Sequence, residues 1–265
     1  MRVVIAGASG FIGRAIVRAL AGHEVCALRR GASAEPCDAL IWAAGGRLSD
    51  PDANQVVHVD AAVAAVRACQ PRRVIYLSSG ECYGAAPVPF REDGEPLGTS
   101  PYARAKLAGE RAVIDAATAA GGVALVLRLG VVYGPGQAPH MLVPQVVRAL
   151  QLGERVPLTH GNQTRDFVFV EDVARAAVDA LSIREPSPGV INVGTGRETT
   201  VRELCLQLAR AIGAREELLG FGELATRADE PGRYVLDVER AATVLGWQPQ
   251  TPLAVGLERT IRDAA

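Results

Sequence analysis

Lysine is all but missing from this chain: of 28 basic residues, one, Lys106, is a lysine and the others are arginines. Arginine is therefore the default cation, and a position that keeps a lysine is read as needing a compact ammonium rather than a wide guanidinium fork. Net charge is also scarce, −1 at pH 7, which removes the electrostatic case for nucleic acid or an anionic membrane as partner. Long apolar runs are lacking. The best, Val123 to Tyr133, is interrupted by Arg128, so no membrane span is expected. The five cysteines, at 26, 37, 69, 82 and 205, are odd in number and show no Cys-x-x-Cys or metal-ligand spacing. The four histidines, at 23, 58, 140 and 160, are scattered. No metal site is expected, and the thiols read as small apolar residues of a reducing, cytoplasmic setting. The stretch Met1-Arg2-Val3-Val4-Ile5-Ala6-Gly7 enters a strand-like run at once, so no signal peptide is expected.

What is present is a rhythm of short apolar runs and helical stretches. A chain of 265 residues, 49% apolar and 22% charged, can form one α/β domain with at most a small appendage. Strand-like runs fall at Arg2–Gly7, Glu24–Arg29, Ala39–Ala44, Arg73–Ser79 and Val123–Val132. Helix-like stretches lie between them at Phe11–Ala21, Pro51–Gln70 and Pro101–Ala120. Nearly continuous apolar strands alternating with helices predict a parallel sheet covered on both faces. Asp50-Pro51 and Ser100-Pro101 each set a capping side chain before a proline at the first helical position. Beyond Gly134-Pro135-Gly136 the pattern predicts helices near Met141–Leu152, Glu171–Leu181 and Val201–Ile212, and a strand at Val190–Val193.

Gly7-Ala8-Ser9-Gly10-Phe11-Ile12-Gly13 spaces three glycines directly after a strand and at the opening of a helix. Such glycines allow a tight turn, close approach of backbone to a pyrophosphate and close helix–strand packing. Gly7, Ser9, Gly10, Phe11, Ile12 and Gly13 are therefore expected to hold a dinucleotide. At the end of the second strand, an acid would hold free ribose hydroxyls and a base would tolerate a 2′-phosphate. Arg29 and Arg30 stand there with no acid beside them, which favours NADP(H) and leaves NAD possible.

Tyr102 and Lys106, four residues apart in a helix, share a face. A neighbouring ammonium favours tyrosinate, as an acid–base residue requires. Leu77-Ser78-Ser79 ends the preceding strand, where sites of α/β sheets gather, and Ser79 could bond the oxygen on which Tyr102 acts.

With these residues in place, the chain resembles an extended short-chain dehydrogenase/reductase of the sugar-nucleotide epimerase/dehydratase group. The likeness rests on Gly7–Gly13, Asp38–Ala44, Ser78–Gly84, Tyr102–Lys106, Arg128–Gly136, Arg165–Ala174, Asn192–Gly194 and Leu245–Pro249, in the family's order. It implies a Rossmann-like doubly wound sheet, residues 1–135 with 160–195 returning to it. A small C-terminal substrate-binding region would comprise 136–160 and 196–265. It further implies Tyr102 as acid–base, Lys106 on the nicotinamide ribose, Ser79 on the substrate and Ala43-Ala44 against the cofactor. Arg165 and Arg233 would contact the nucleotide or diphosphate, Met141-Leu142 the base, and paired helices would form a homodimeric four-helix bundle.

Three departures from the family pattern stand out. The interval before Asp38 is short, so the sheet is expected to lack a strand. Asp60 and Gly130 occupy places where asparagine is common. Glu81 resembles the glutamate of 4,6-dehydratases and glucuronate decarboxylases, where a carboxylate takes a C5 proton; a glutamate held by backbone and solvent fits equally. Arg165 could instead pair with Asp166 or Glu171, and Asp172 reads as a helix cap. The resemblance implies chemistry at C4 of a nucleotide-sugar. Cofactor recycled within a turnover gives epimerisation, dehydration or decarboxylation; cofactor consumed makes an NADPH-dependent 4-ketosugar-nucleotide reductase. A non-catalytic NADP(H)-binding sensor or scaffold is the reading from a different class, and the intact Ser79-Tyr102-Lys106 set argues against it.

Overall fold

The structure is a computed structural model describing residues 1–29, 35–45, 50–183, 189–225 and 232–264. From the N-terminus, β1 (Arg2–Ala6), α1 (Phe11–Ala19), β2 (Glu24–Leu28) and β3 (Ala39–Trp42) are followed by α2 (Pro51–Gln55). A π turn over Val56–Asp60 joins α2 to α3 (Ala61–Cys69). Then come β4 (Arg73–Ser79), a 3-10 turn over Gly80–Tyr83, α4 (Pro101–Ala119), β5 (Val123–Leu129) and β6 (Val131–Tyr133). The later chain forms α5 (Leu142–Gln151), β7 (Val156–Leu158), β8 (Thr164–Arg165), β9 (Phe167–Phe169), α6 (Val170–Ser182) and β10 (Gly189–Val193). It closes with β11 (Thr199–Thr200), α7 (Val201–Ile212), β12 (Leu219–Phe221) and α8 (Leu253–Asp263).

Six strands form one parallel sheet in the order β10-β5-β4-β3-β1-β2. Side chains alternate between its faces with period two. Val3, Ile5, Ile41, Ile75, Leu77 and Leu127 pack with Ile16 of α1, Leu20 that caps it, and Val173 and Ala177 of α6. Val4, Leu40, Trp42, Val74, Tyr76 and Val126 pack on the opposite face with Ala62, Val66, Val113 and Ala117 of α3 and α4. The sheet is thus apolar on both sides and doubly wound, as its continuous apolar runs predict. Among the described residues β2 is an edge strand, paired with β1 alone, as the short interval before Asp38 predicts.

The predicted caps are in place: Asp50 accepts from Asp52 N at 3.0 Å and Ser100 from Ala103 N at 3.0 Å, each before its proline. The single strand expected over Val123–Val132 is instead two. Gly130 breaks the run, sending β5 to the large sheet and β6 to pair with β9. A second apolar cluster joins Val143, Val146, Leu158, Phe167, Leu204, Leu208 and Leu257 of the later elements.

Asp172 corrects its expected role. Phe169 is the N-cap residue of α6; Asp172, buried in the first turn, accepts from Gln250 N at 3.2 Å and Thr251 N at 3.0 Å. With Trp247 Nε1 donating to Asp172 O at 3.0 Å, it ties the C-terminal segment to α6. Among the described residues no helix is long and apolar enough to cross a membrane.

Candidate active site

Strand order reverses on either side of β1 and β3, and a crevice opens beyond the carboxyl ends at such a point. Two loops meet there. Gly7, with φ +82°, brings its backbone against Ala43, where a Cβ would lie 2.6 Å from Ala43 O. At Gly13 a Cβ would lie 2.0 Å from Gly7 O, so α1 can sit on the turn only without a side chain. Gly10 is the N-cap of α1, with no side-chain cap and no acid in the first turn. The uncapped amides and positive helix end suit a pyrophosphate, and the glycine cradle leaves backbone room for it, so these residues fit a dinucleotide. Arg14 braces the turn, donating to Ser9 O at 2.9 Å and to Gly136 O at 3.0 Å. Arg29 is exposed immediately after β2; Arg30 lies outside the described residues.

A cavity of about 130 Å³ beside this turn is lined by Ile12, Ala43, Ala44, Ser79, Tyr102 and Lys106, among others. Lys106, 4% exposed, donates from Nζ to Leu77 O at 2.8 Å. Its ammonium stands 5.0 Å from the Tyr76 ring centroid and 5.8 Å from that of Tyr102. Burial pulls it down to about 8, with Cys82 and Glu110 acting the other way. Ser79 Oγ caps the 3-10 turn, accepting from Glu81 N at 3.2 Å.

The site holds groups the sequence reading did not single out. His58, fully buried, sets its ring edge-on to Tyr102 with centroids 5.5 Å apart, and its carbonyl accepts Tyr76 Oη at 3.0 Å. Asp60, expected nearby, is exposed instead. Behind Lys106, Glu110 and Arg128 form a buried two-pronged pair, Nε–Oε1 3.0 Å and Nη2–Oε2 2.7 Å, and Ser78 Oγ donates to Glu110 Oε1 at 2.5 Å. Arg128 also lies over the Tyr83 ring at 4.6 Å, and Tyr83 Oη donates to Asn192 Oδ1 at 2.7 Å.

A larger cleft of about 410 Å³ is lined by Tyr133, Met141, Leu142, Gln163, Arg165 and Phe167, among others. It thus gathers three of the four residues expected at the nucleotide and diphosphate. The fourth, Arg233, is mostly exposed, does not line this cleft and is ion-paired with Glu198. Arg165 donates to Thr164 O at 2.7 Å. Its two suggested acid partners are engaged elsewhere: Glu171 pairs with Arg259, and buried Asp166 accepts from Thr195 and Gly196. Glu81 is half-buried on the 3-10 turn. One strand serves both spaces, since Val132 lines the small cavity while Val131 and Tyr133 line the large one.

The model of the NAD dependent epimerase/dehydratase family matches residues 49–194. The chain belongs to this family, and it is an NAD(P)-dependent enzyme. It is 33% identical to a dTDP-6-deoxy-L-talose 4-dehydrogenase (NAD(P)(+)) of Kitasatospora kifunensis, over 99% of this chain and 93% of that protein. It is also 33% identical to a UDP-glucose 4-epimerase of Mycolicibacterium smegmatis, over 98% and 97%. The solved structure of MoeE5 in complex with UDP-glucuronic acid and NAD superposes with a TM-score of 0.89 at 29% identity, covering 99% of this chain and 98% of that one.

Proposed function

We propose that this enzyme acts on a nucleotide-sugar at C4, with Ser79, Tyr102 and Lys106 as its working groups. The observation that carries the reading is their convergence, with Ile12, Ala43 and Ala44, on one cavity beside the glycine turn. A nicotinamide held there, beside Ile12, Ala43 and Ala44, would supply hydride transfer at the sugar carbon. Lys106 spends one N–H on Leu77 O and has two left, for the ribose hydroxyls and the Tyr102 oxygen. Tyr102 moves the proton of the C4 hydroxyl, and Ser79 bonds the same oxygen. The larger cleft takes the nucleotide, with Arg165 near the diphosphate and Met141-Leu142 against the base; Arg233 would have to leave Glu198 to join them. Glu81 is the candidate base for C5. In this reading residues 1–135 and 160–195 carry the cofactor, and 136–160 with 196–265 carry the substrate.

Arg29, with no acid at the end of β2, favours NADP(H). That residue, and the likeness to a 4-dehydrogenase named for NAD(P)(+), favour a second reading in which cofactor is consumed by a 4-ketosugar-nucleotide reductase. A dimer through the α2–α3 and α4 faces, in the cytoplasm, completes the proposal. A monomeric mass by light scattering would refute the dimer.

The test is turnover of UDP- and dTDP-hexoses and their 4-keto forms, followed by proton NMR of the sugar and absorbance at 340 nm. Tightly held oxidised cofactor and a rearranged sugar indicate recycling; stoichiometric loss of NADPH indicates a reductase. No turnover of any nucleotide-sugar, or undiminished turnover in Tyr102→Phe, overturns both.

A further inference from the structure

Tyr102, Lys106 and Glu110 stand at i, i+4 and i+8 along α4, forming one stripe that runs from the cavity into the protein. Glu110 is 3% exposed, and both its oxygens are held, Oε1 by Ser78 and Arg128 Nε, Oε2 by Arg128 Nη2. Ser78 and Arg128 are register partners on β4 and β5, so the carboxylate clamps the two strands to the helix that carries Tyr102 and Lys106. An ion pair this deep is a costly way to join a helix to a sheet, since apolar residues of the same volume do so as well or better. Its position one turn behind the buried ammonium gives it a second use.

We propose that Glu110 is a positioning residue for the reaction: fixed by Arg128 and Ser78, it keeps Lys106 charged and in place for the cofactor's ribose. The ribose contact rests on the function proposed above; the effect on Lys106 does not. The ionisable groups around Lys106 are Tyr102 and Glu110 on its own helix, Tyr76 on β4, Cys82 on the 3-10 turn, Arg128 on β5 and, beyond Tyr102, His58. Burial pushes the Tyr76 phenol upward and the Cys82 thiol up to about 12, so both are neutral near pH 8. Cys82 and Glu110 both oppose desolvation at Lys106, and Glu110 is the carboxylate of the two.

The scarcity of lysine makes the test direct. Protein grown on lysine labelled with carbon-13 at Cε gives one lysine signal in NMR, that of Lys106. In Glu110→Gln, whose amide keeps the shape and the bond to Ser78, the midpoint of that signal should fall by about one unit from the wild-type value. A fall of that size leaves about fivefold less ammonium at pH 8, and the alkaline limb of kcat/KM should move with it. If Glu110→Gln does not fold, as judged by circular dichroism, the pair Glu110→Gln with Arg128→Met replaces it, leaving no unpaired charge beyond Lys106. Its midpoint should also fall, by less than in the single variant, because the lost Arg128 charge partly offsets that of Glu110. A folded variant with an unmoved midpoint overturns the proposal and leaves the pair a structural clamp. Absence of turnover in the wild type would overturn the functional reading while leaving the titration interpretable.

Discussion

His58 meets Tyr102 edge to face, ring centroids 5.5 Å apart and planes at 79°. The imidazole is fully buried, and Gly45 stands close enough that a Cβ there would lie 2.4 Å from its ring. Held in that tight slot, it braces the Tyr102 ring edge-on. His58→Ala should open a cavity behind the phenol, cost about 2–4 kcal/mol of stability and lower kcat more than it raises KM. Denaturant unfolding and steady-state kinetics check both.

Lys106→Arg keeps the charge but replaces a point donor with a fork in a fully buried slot. Turnover should fall roughly hundredfold, as expected when a reacting group is misplaced by about an ångström. Circular dichroism should show the fold retained. Normal activity in this variant would mean that the lone lysine has no special task.

The pH dependence of stability follows from the same ammonium. In the folded chain it titrates at about 8, below the ordinary lysine value of 10.5, because burial disfavours the charge. Between those two values the unfolded chain binds the extra proton, so the Lys106 contribution to stability rises with pH, by about 3 kcal/mol in full. Activity that needs the ammonium falls instead through pH 8, where the folded chain releases that proton. Comparing unfolding of wild type and Lys106→Met at pH 7 and pH 10 isolates the effect; equal differences at the two pH values would contradict it.

Gly13→Ala places a methyl 2.0 Å from Gly7 O, backbone against backbone, so α1 must shift from the turn. Overpacking of this kind costs about 1–3 kcal/mol, and the displaced amides should weaken NAD(P)H binding at least tenfold. Fluorescence titration of the reduced cofactor measures it.

Arg29→Asp should reverse any preference for the 2′-phosphate. Loss of one charge-assisted hydrogen bond, about 1.5 kcal/mol, corresponds to roughly a tenfold drop in NADPH affinity relative to NADH. Parallel titrations with the two cofactors would reveal it, and an unchanged ratio would remove Arg29 from the site.

The strands of the large sheet were legible because burial on both faces writes continuous apolar runs, and the α2 and α4 starts because Asp50-Pro51 and Ser100-Pro101 name their caps. That Tyr102, Lys106 and Ser79 would lie near one another was legible through spacing and strand ends. His58 was not, because the π turn over Val56–Asp60 adds a residue to the helix and defeats counting by fours. The Glu110–Arg128 pair was hidden for another reason: charged residues are read as solvated unless something shows them buried. The elements β7, β8, β11 and β12, two or three residues each, are too short to carry a period. Gly130 departs from the family pattern by replacing an asparagine, and its structural effect is to end one strand and begin another.

That break makes β6 a wall one residue thick between the two spaces, with Val132 facing one and Val131 and Tyr133 the other. Whatever occupies either side presses on the same backbone, which β9 and the bond from Gln137 Nε2 to Val132 O hold from behind. A shift of that backbone from either side changes the lining of the other space as well. Substitutions at Val131 or Val132 should therefore alter both affinities at once, whichever side they face.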